Sequence, residues 1–375
     1  MTALAAASIA SECARAADVN EEAECGSPCL EYSGYAEIFS DWQFLSGADR
    51  GTGHQIYPKA ELELTGTLVD GFSVLTNIVT EPVVDYERSS RSYFSDVGTY
   101  VEVLQAQFAY GPLEVYAGKI HPIFGRAWDI TPGLHGIDLA EDYELSERLG
   151  GGASLTFDAL SMSNALSVSA FTTDRTVLSE SLFTNRGRLG LDDGGAGNTK
   201  GVSSVAVAID GCRKAEVDKC YEDGDFGYQL AARYQEGGPD SDGNETGVLL
   251  SLNKSFVIDE DAKILLFGEA AWFNHFDGEA DDALAVTGSG ALQSGTLLYS
   301  VAYTQIRTLI SGASDESEQL FDASISYDLG TFVSGFGEHW SLGAGYSFDR
   351  FEDDDAHVIG LRLRTDFEGA VSGGD

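Results

Sequence analysis

The chain has 375 residues, with 61 acidic against 22 basic side chains and a formal charge of −39. That balance excludes nucleic acid as a partner, since phosphate binding needs a basic patch. A hydrophobic content of 43% excludes a disordered polyanion. No run of 18 or more apolar residues is present, which rules out a membrane-spanning helix. A transmembrane barrel stays open, because its strands alternate apolar and polar residues and keep a low mean hydropathy. Abundant glycine (44) and scarce proline (7) suit many strands joined by turns.

Residues 1–16, "MTALAAASIASECARA", read as the tail end of an export signal, with Ala14-Arg15-Ala16 as an A-x-A site cut before Ala17. Cys13 follows Glu12, where a lipoprotein box needs a small residue, so it is expected to leave with the signal. A short N-terminal segment, 17–31, is expected on the periplasmic side and leads into the first strand. The four remaining cysteines form two close pairs, Cys25 with Cys29 and Cys212 with Cys220, which fits disulfides made in an oxidising periplasm. A four-cysteine metal site is the rival reading, and it usually shows tighter C-x-x-C spacing. No metal or cofactor is expected.

Alternation with a period of two marks the strands. "KAELELTG" sets Ala60, Leu62 and Leu64 against Lys59, Glu61 and Glu63, and "FGYQLAARYQ" sets Tyr228, Leu230 and Tyr234 against Gln229 and Arg233. "FDASISYDL", "WSLGAGYSFD" and "HVIGLRLRTDF" repeat the pattern, the last with Leu361 and Leu363 opposite Arg362 and Arg364. A soluble sandwich also alternates. Aromatics at the ends of the apolar faces and small residues in the middles favour a face turned to lipid. The strands fall near 32–44, 55–68, 72–81, 98–110, 113–121, 148–157, 164–173, 200–210, 225–236, 245–256, 262–275, 282–292, 296–307, 319–329, 340–349 and 356–367. The pair 282–292 and 296–307 is separated by a tight turn at "QSGT". The fold class expected is all-β, a 16-stranded antiparallel transmembrane β-barrel spanning 32–367, with 368–375 as a C-terminal extension. Parity makes 69–71, 111–112, 158–163 and "VIDEDA" inner turns and the acidic stretches 175–199, 237–244, 276–281, 310–318 and "RFEDDDA" outer loops.

The longest informative interruption is Gly118–Gly152, "GKIHPIFGRAWDITPGLHGIDLAEDYELSERLGGG". Its prolines and glycines forbid one regular element, and a loop this long in a compact fold is usually functional. Folded into the lumen, it narrows what sixteen strands otherwise leave as a wide aqueous channel. Asp129, Asp138, Glu141, Asp142, Glu144 and Glu147 would give it an acidic side. Lys59, Lys119, Arg126, Arg233, Arg362 and Arg364 would line the pore as a basic wall opposite, so that opposed charges tune which ions pass.

"GYAEIF" (34–39), "GKIHPIFGRAWD", "GRLGLDDGGAGN" (187–198) and the final strand ending in Phe367 resemble the general porins of Gram-negative outer membranes, particularly the porin-like proteins of alphaproteobacteria. The resemblance implies a constricting third loop, homotrimers in outer-membrane lipid and lipopolysaccharide, and passive diffusion of ions and small hydrophilic solutes. "EGAVSGGD" after Phe367 departs from the family, which usually ends on the aromatic.

Other classes fit less well. Six histidines and no G-x-S-x-G argue against an embedded hydrolase, so no catalysis is expected. "GPDSDGNE" and "LDDGGAGN" have oxygen ligands suited to calcium without completing an EF-hand. A substrate-specific sugar or phosphate channel and a non-conducting structural or adhesin barrel remain as alternatives.

Overall fold

The structure, a computed structural model, describes residues 27–46, 51–84, 90–215, 217, 220–221, 224–259, 261–310, 312–330, 339–351 and 354–372. Residues 1–16 and Cys25 lie outside the described residues, so the export signal and one expected half-cystine fall there. Sixteen long strands make one antiparallel sheet. They are β1 (Cys29–Ser46), β2 (Gly51–Val69), β3 (Phe72–Pro82), β4 (Val97–Tyr110), β5 (Leu113–Ile120), β6 (Arg148–Ala159), β7 (Met162–Thr173) and β8 (Ser204–Arg213). The second half holds β9 (Phe226–Gln235), β10 (Glu245–Asp259), β11 (Ala262–Asn274), β12 (Asp282–Ser294), β13 (Leu297–Leu309), β14 (Glu316–Gly330), β15 (His339–Phe351) and β16 (Asp354–Ser372).

Each strand pairs with its sequence neighbours, and β16 pairs with β1 from Cys29↔Ser372 to Ser46↔Asp355, which closes the cylinder. Closure removes the open edges that would otherwise template aggregation and gives every strand a partner on both sides, as hydrocarbon requires. The strands match those expected from sequence alternation, including the split of 282–307. There Gly295 takes a left-handed φ of 58° between β12 and β13, a conformation glycine adopts without steric cost. The chain boundaries differ. β1 begins at Cys29 and β16 runs to Ser372, so limits drawn at 32 and 367 cut through paired strands, and most of the supposed C-terminal extension is wall.

Alternation decides which face meets what. On β16, Leu361 and Leu363 are 42% and 39% exposed on the outer surface, whereas Arg362 and Arg364 are 8% and 0% exposed on the inner one. The same outer band continues through Leu230, Leu250, Leu284, Val301, Ile325 and Leu342. An apolar belt of this kind suits hydrocarbon and would be unstable in water.

The connections are asymmetric. One end carries tight turns at 70–71, 111–112, 160–161 and 295–296, and the other carries 83–84, 90–96 and the stretches 121–147 and 174–203. At that second end Arg91–Tyr93 adds a short parallel pairing to β2, and Leu182–Phe183 pairs with β4.

A lumenal loop and the cavity it leaves

The stretch 121–147 carries apolar side chains that the strands do not. Phe124, Ala127, Trp128, Ile130, Leu139, Ala140, Tyr143 and Leu145 pack against Phe171, Phe267, Phe273 and a series of wall alanines, among them Ala206, Ala208, Ala231, Ala271, Ala283 and Ala285. Those alanines alternate with outward apolar residues such as Leu230, Trp272 and Leu284, which places them on the inner face. Small wall residues leave the volume that the aromatic side chains of the loop occupy. Burying each such ring contributes about 1.5–3 kcal/mol.

Directed bonds fix the orientation. Gly125 N–H donates to Gln229 Oε1 at 2.8 Å, Arg126 N–H to Glu269 Oε2 at 2.7 Å, and the Tyr143 hydroxyl to Glu269 Oε1 at 2.8 Å. The Arg126 guanidinium pairs with Asp210 at 2.8 Å. Arg233 joins Glu245 at 2.6 Å, donates to the Tyr143 carbonyl at 2.6 Å and lies between the rings of Phe124 and Phe273. On the opposite side His135 reaches the wall. Its backbone N–H donates to Asp322 at 3.1 Å, and its ring lies 3.1 Å from Asp138 and 3.5 Å from Asp41 of β1. Gly133, at φ 135°, makes that approach, because a Cβ there would collide with the Asp322 carboxylate.

Between the loop and the inner faces of β1 to β4 a cavity of about 140 Å³ remains. The wall contributes Glu37, Glu61, Glu81 and Glu102, and the loop contributes Asp138, Glu141, Glu144 and Glu147. Tyr35, Phe39, Tyr100 and Trp128 supply its aromatic surface, and Lys59 and Arg362 its cations. The wall carboxylates are held in place: Asn77 donates to Glu61 at 2.7 Å and Glu102 at 3.2 Å, and Tyr100 to Glu81 at 2.6 Å.

The six basic residues expected to form one wall are dispersed. Lys59 and Arg362 line the cavity. Arg364 lies beside it, bonded to Glu37 at 3.2 Å and Asp366 at 2.7 Å with Tyr35 beneath. Lys119 is fully buried, bonded to Glu147 at 2.7 Å and Asp174 at 3.1 Å, and Arg126 and Arg233 serve the far wall. The physical reason is net acidity: most lumenal cations are consumed by nearer carboxylates. Of the six loop acids, Asp138, Glu141, Glu144 and Glu147 reach the cavity. Asp129 sits half-buried in the helical turn Ala127–Ile130, and Asp142 is exposed. The wall glutamates were the larger omission, although Glu37 and Glu61 alternate with outward Ile38 and Leu62 and are legible on that basis.

Cys212 and Cys220 form a disulfide with Cα atoms 5.4 Å apart, and Cys29 is disulfide-bonded. The two glycine-rich acidic loops meet through an Ala196↔Gly237 bridge, and among the described residues no cluster of three carboxylate, histidine or cysteine ligands is assembled.

No sequence-family model matches the chain, and no curated protein matches it. Among solved structures, a loop L8 deletion mutant of OmpT, an outer membrane protein of Vibrio cholerae, aligns with a TM-score of 0.53 at 12% identity, covering 90% of this chain and 99% of that one. The fold is that of an outer-membrane β-barrel. OpdQ of Pseudomonas aeruginosa aligns at 11% identity over 90% and 98% of the two chains with a TM-score of 0.48. OpdK of the same organism, solved with vanillate, aligns at 9% identity over 90% and 99%, also at 0.48. At these identities the likeness concerns the barrel's architecture alone.

Proposed function

We propose that this barrel is a water-filled channel of a Gram-negative outer membrane, admitting ions and small hydrophilic solutes by passive diffusion with a preference for cations. The observation that carries the reading is the carboxylate-rich cavity left between the loop and the β1 to β4 wall. It is polar, lies inside an apolar-belted cylinder, and is large enough for several waters. Opposite, the far wall is filled by the loop's aromatic side chains, so solute flux belongs to the acidic half. Fixed carboxylates at close quarters raise the local concentration of cations and lower that of anions, without chemical reaction. Assembly as a homotrimer among outer-membrane lipid and lipopolysaccharide is part of the same proposal, drawn from the family resemblance. No catalytic role is proposed.

Conductance of the purified protein in planar bilayers tests it. A steady open current with a reversal potential favouring cations in a salt gradient is expected. A silent barrel would favour a structural or adhesin role, and anion selectivity would contradict the assigned path.

A further inference from the structure

Two cations in the cavity stand out in a chain so acidic. Arg362 is nine-tenths buried, yet among the described residues its guanidinium donates no hydrogen bond, and its sole ion pair is the 3.8 Å approach of Nη1 to Glu37. That distance is beyond hydrogen bonding. Lys59 makes no ion pair within 4 Å among the described residues, and its ammonium sits 5.9 Å above the Phe39 ring. The neighbouring Arg364, by contrast, is satisfied by Glu37 and Asp366.

The registers bring the two together. Glu37 faces Arg364 on one side and Lys59 on the other, and Phe39, the next inward residue of β1, faces Arg362. Lys59 and Arg362 therefore flank one corner of the cavity with unused N–H donors. Guanidinium and ammonium donors of this kind match a carboxylate. Two residues along β2 from Lys59, about 7 Å on the same face, stands Glu61, with Glu102 on the same cavity wall.

We infer that this corner is a subsite for zwitterionic solutes: small molecules carrying a carboxylate and an ammonium group a few bonds apart. The carboxylate takes the donors of Lys59 and Arg362, and the ammonium lies toward Glu61 and Glu102. A plain anion meets repulsion from the surrounding glutamates. A plain cation gains from them and leaves the corner unpaired. Only a molecule with both charges satisfies both groups, so the solute preference is set by charge pattern rather than net charge. This rests on the channel reading above.

The experiment uses proteoliposomes of the full-length barrel and three labelled solutes of four carbons each: 4-aminobutyrate, butylamine and butyrate, with arabinose as an uncharged reference. Entry of 4-aminobutyrate, normalised to arabinose, is expected to saturate with concentration and, at low concentration, to exceed that of both single-charge analogues. In Lys59→Gln and Arg362→Gln the low-concentration advantage over butylamine, each rate taken relative to the same variant's own arabinose entry, should fall about tenfold, the low end of what hydrogen bonds to a charged group supply. Heat-modifiable migration on a denaturing gel shows that each variant folds. Equal, unsaturable entry of the three solutes, or an advantage unmoved in both variants, overturns the subsite. Absence of arabinose entry in the unmodified protein would instead overturn the channel itself.

Discussion

Arg362 and Leu363 are consecutive residues, yet one meets the lumen and the other the hydrocarbon, and each substitution should report its own side. Leu361→Arg places a charge on the lipid face, which costs about 2–4 kcal/mol at the bilayer midplane. A lowered urea midpoint for folding into vesicles is expected, with conductance per folded molecule unchanged. Arg364→Met does the reverse. It leaves Glu37, buried beside it, without its 3.2 Å partner, and breaking a buried pair of this kind costs about 3–5 kcal/mol. Equilibrium unfolding of both variants measures the two effects, and a neutral Arg364→Met would mean that lumenal water solvates Glu37. His135 adds a pH dependence. Burial works against its charged ring, but hydrogen bonds to Asp138 and Asp41 outweigh this and hold its pKa well above the usual histidine range. A raised pKa means the anchoring is fully present below about pH 6.5, the unfolded value, and is lost as pH rises through the folded one. Open-channel noise should therefore grow in alkaline solution, and His135→Gln should show that noise already at neutral pH. Quiet currents from the variant at every pH would show that the ring is no anchor.

At the scale of elements, the strands were legible because one wall must face two solvents, and a period of two is the only pattern that serves both. The loop was legible as an interruption, since Pro122, Pro132 and Gly133 stop any regular element. Its partners were not. Nothing in local sequence ties Tyr143 to Glu269, 126 residues away, or His135 to Asp322, 187 residues away. The expected basic wall failed for a related reason: parity tells which way Lys119 and Arg233 point, but not that Glu147 and Glu245 stand close enough to take their charge. Glu269 receives three loop donors, from Arg126, Ala127 and Tyr143. Glu269→Ala should therefore loosen the loop, raising single-channel conductance and shortening the lifetime of each conductance level. An unchanged trace would mean that the aromatic packing holds the loop alone.

For the whole molecule, the formal charge of −39 says little about where the charge acts. Closure of the barrel concentrates part of it on one side of the lumen, where the loop and the wall add their carboxylates. Several of the loop acids do not titrate as free side chains. Burial, helped by Glu141 and Glu102, pushes Glu144 well above the usual carboxylate range, and burial with Asp138 pushes Glu141 up to about 8 against the pull of Lys59. The charged forms prevail above these raised pKa positions, so cation preference should weaken as pH falls from 9 to 7, through the value for Glu141, read as a shrinking reversal potential. A preference flat over that interval would locate the selectivity elsewhere.

The central claim is that the acidic face of the loop, and no part of the leucine belt, borders the path of the ions. Cysteine replacement followed by a water-soluble, positively charged thiol reagent tests it while current is recorded. Glu141→Cys should react within the recording and lose a large share of its conductance, while Leu361→Cys should remain unmodified at full current. Block through position 361 with silence at 141 would contradict the account.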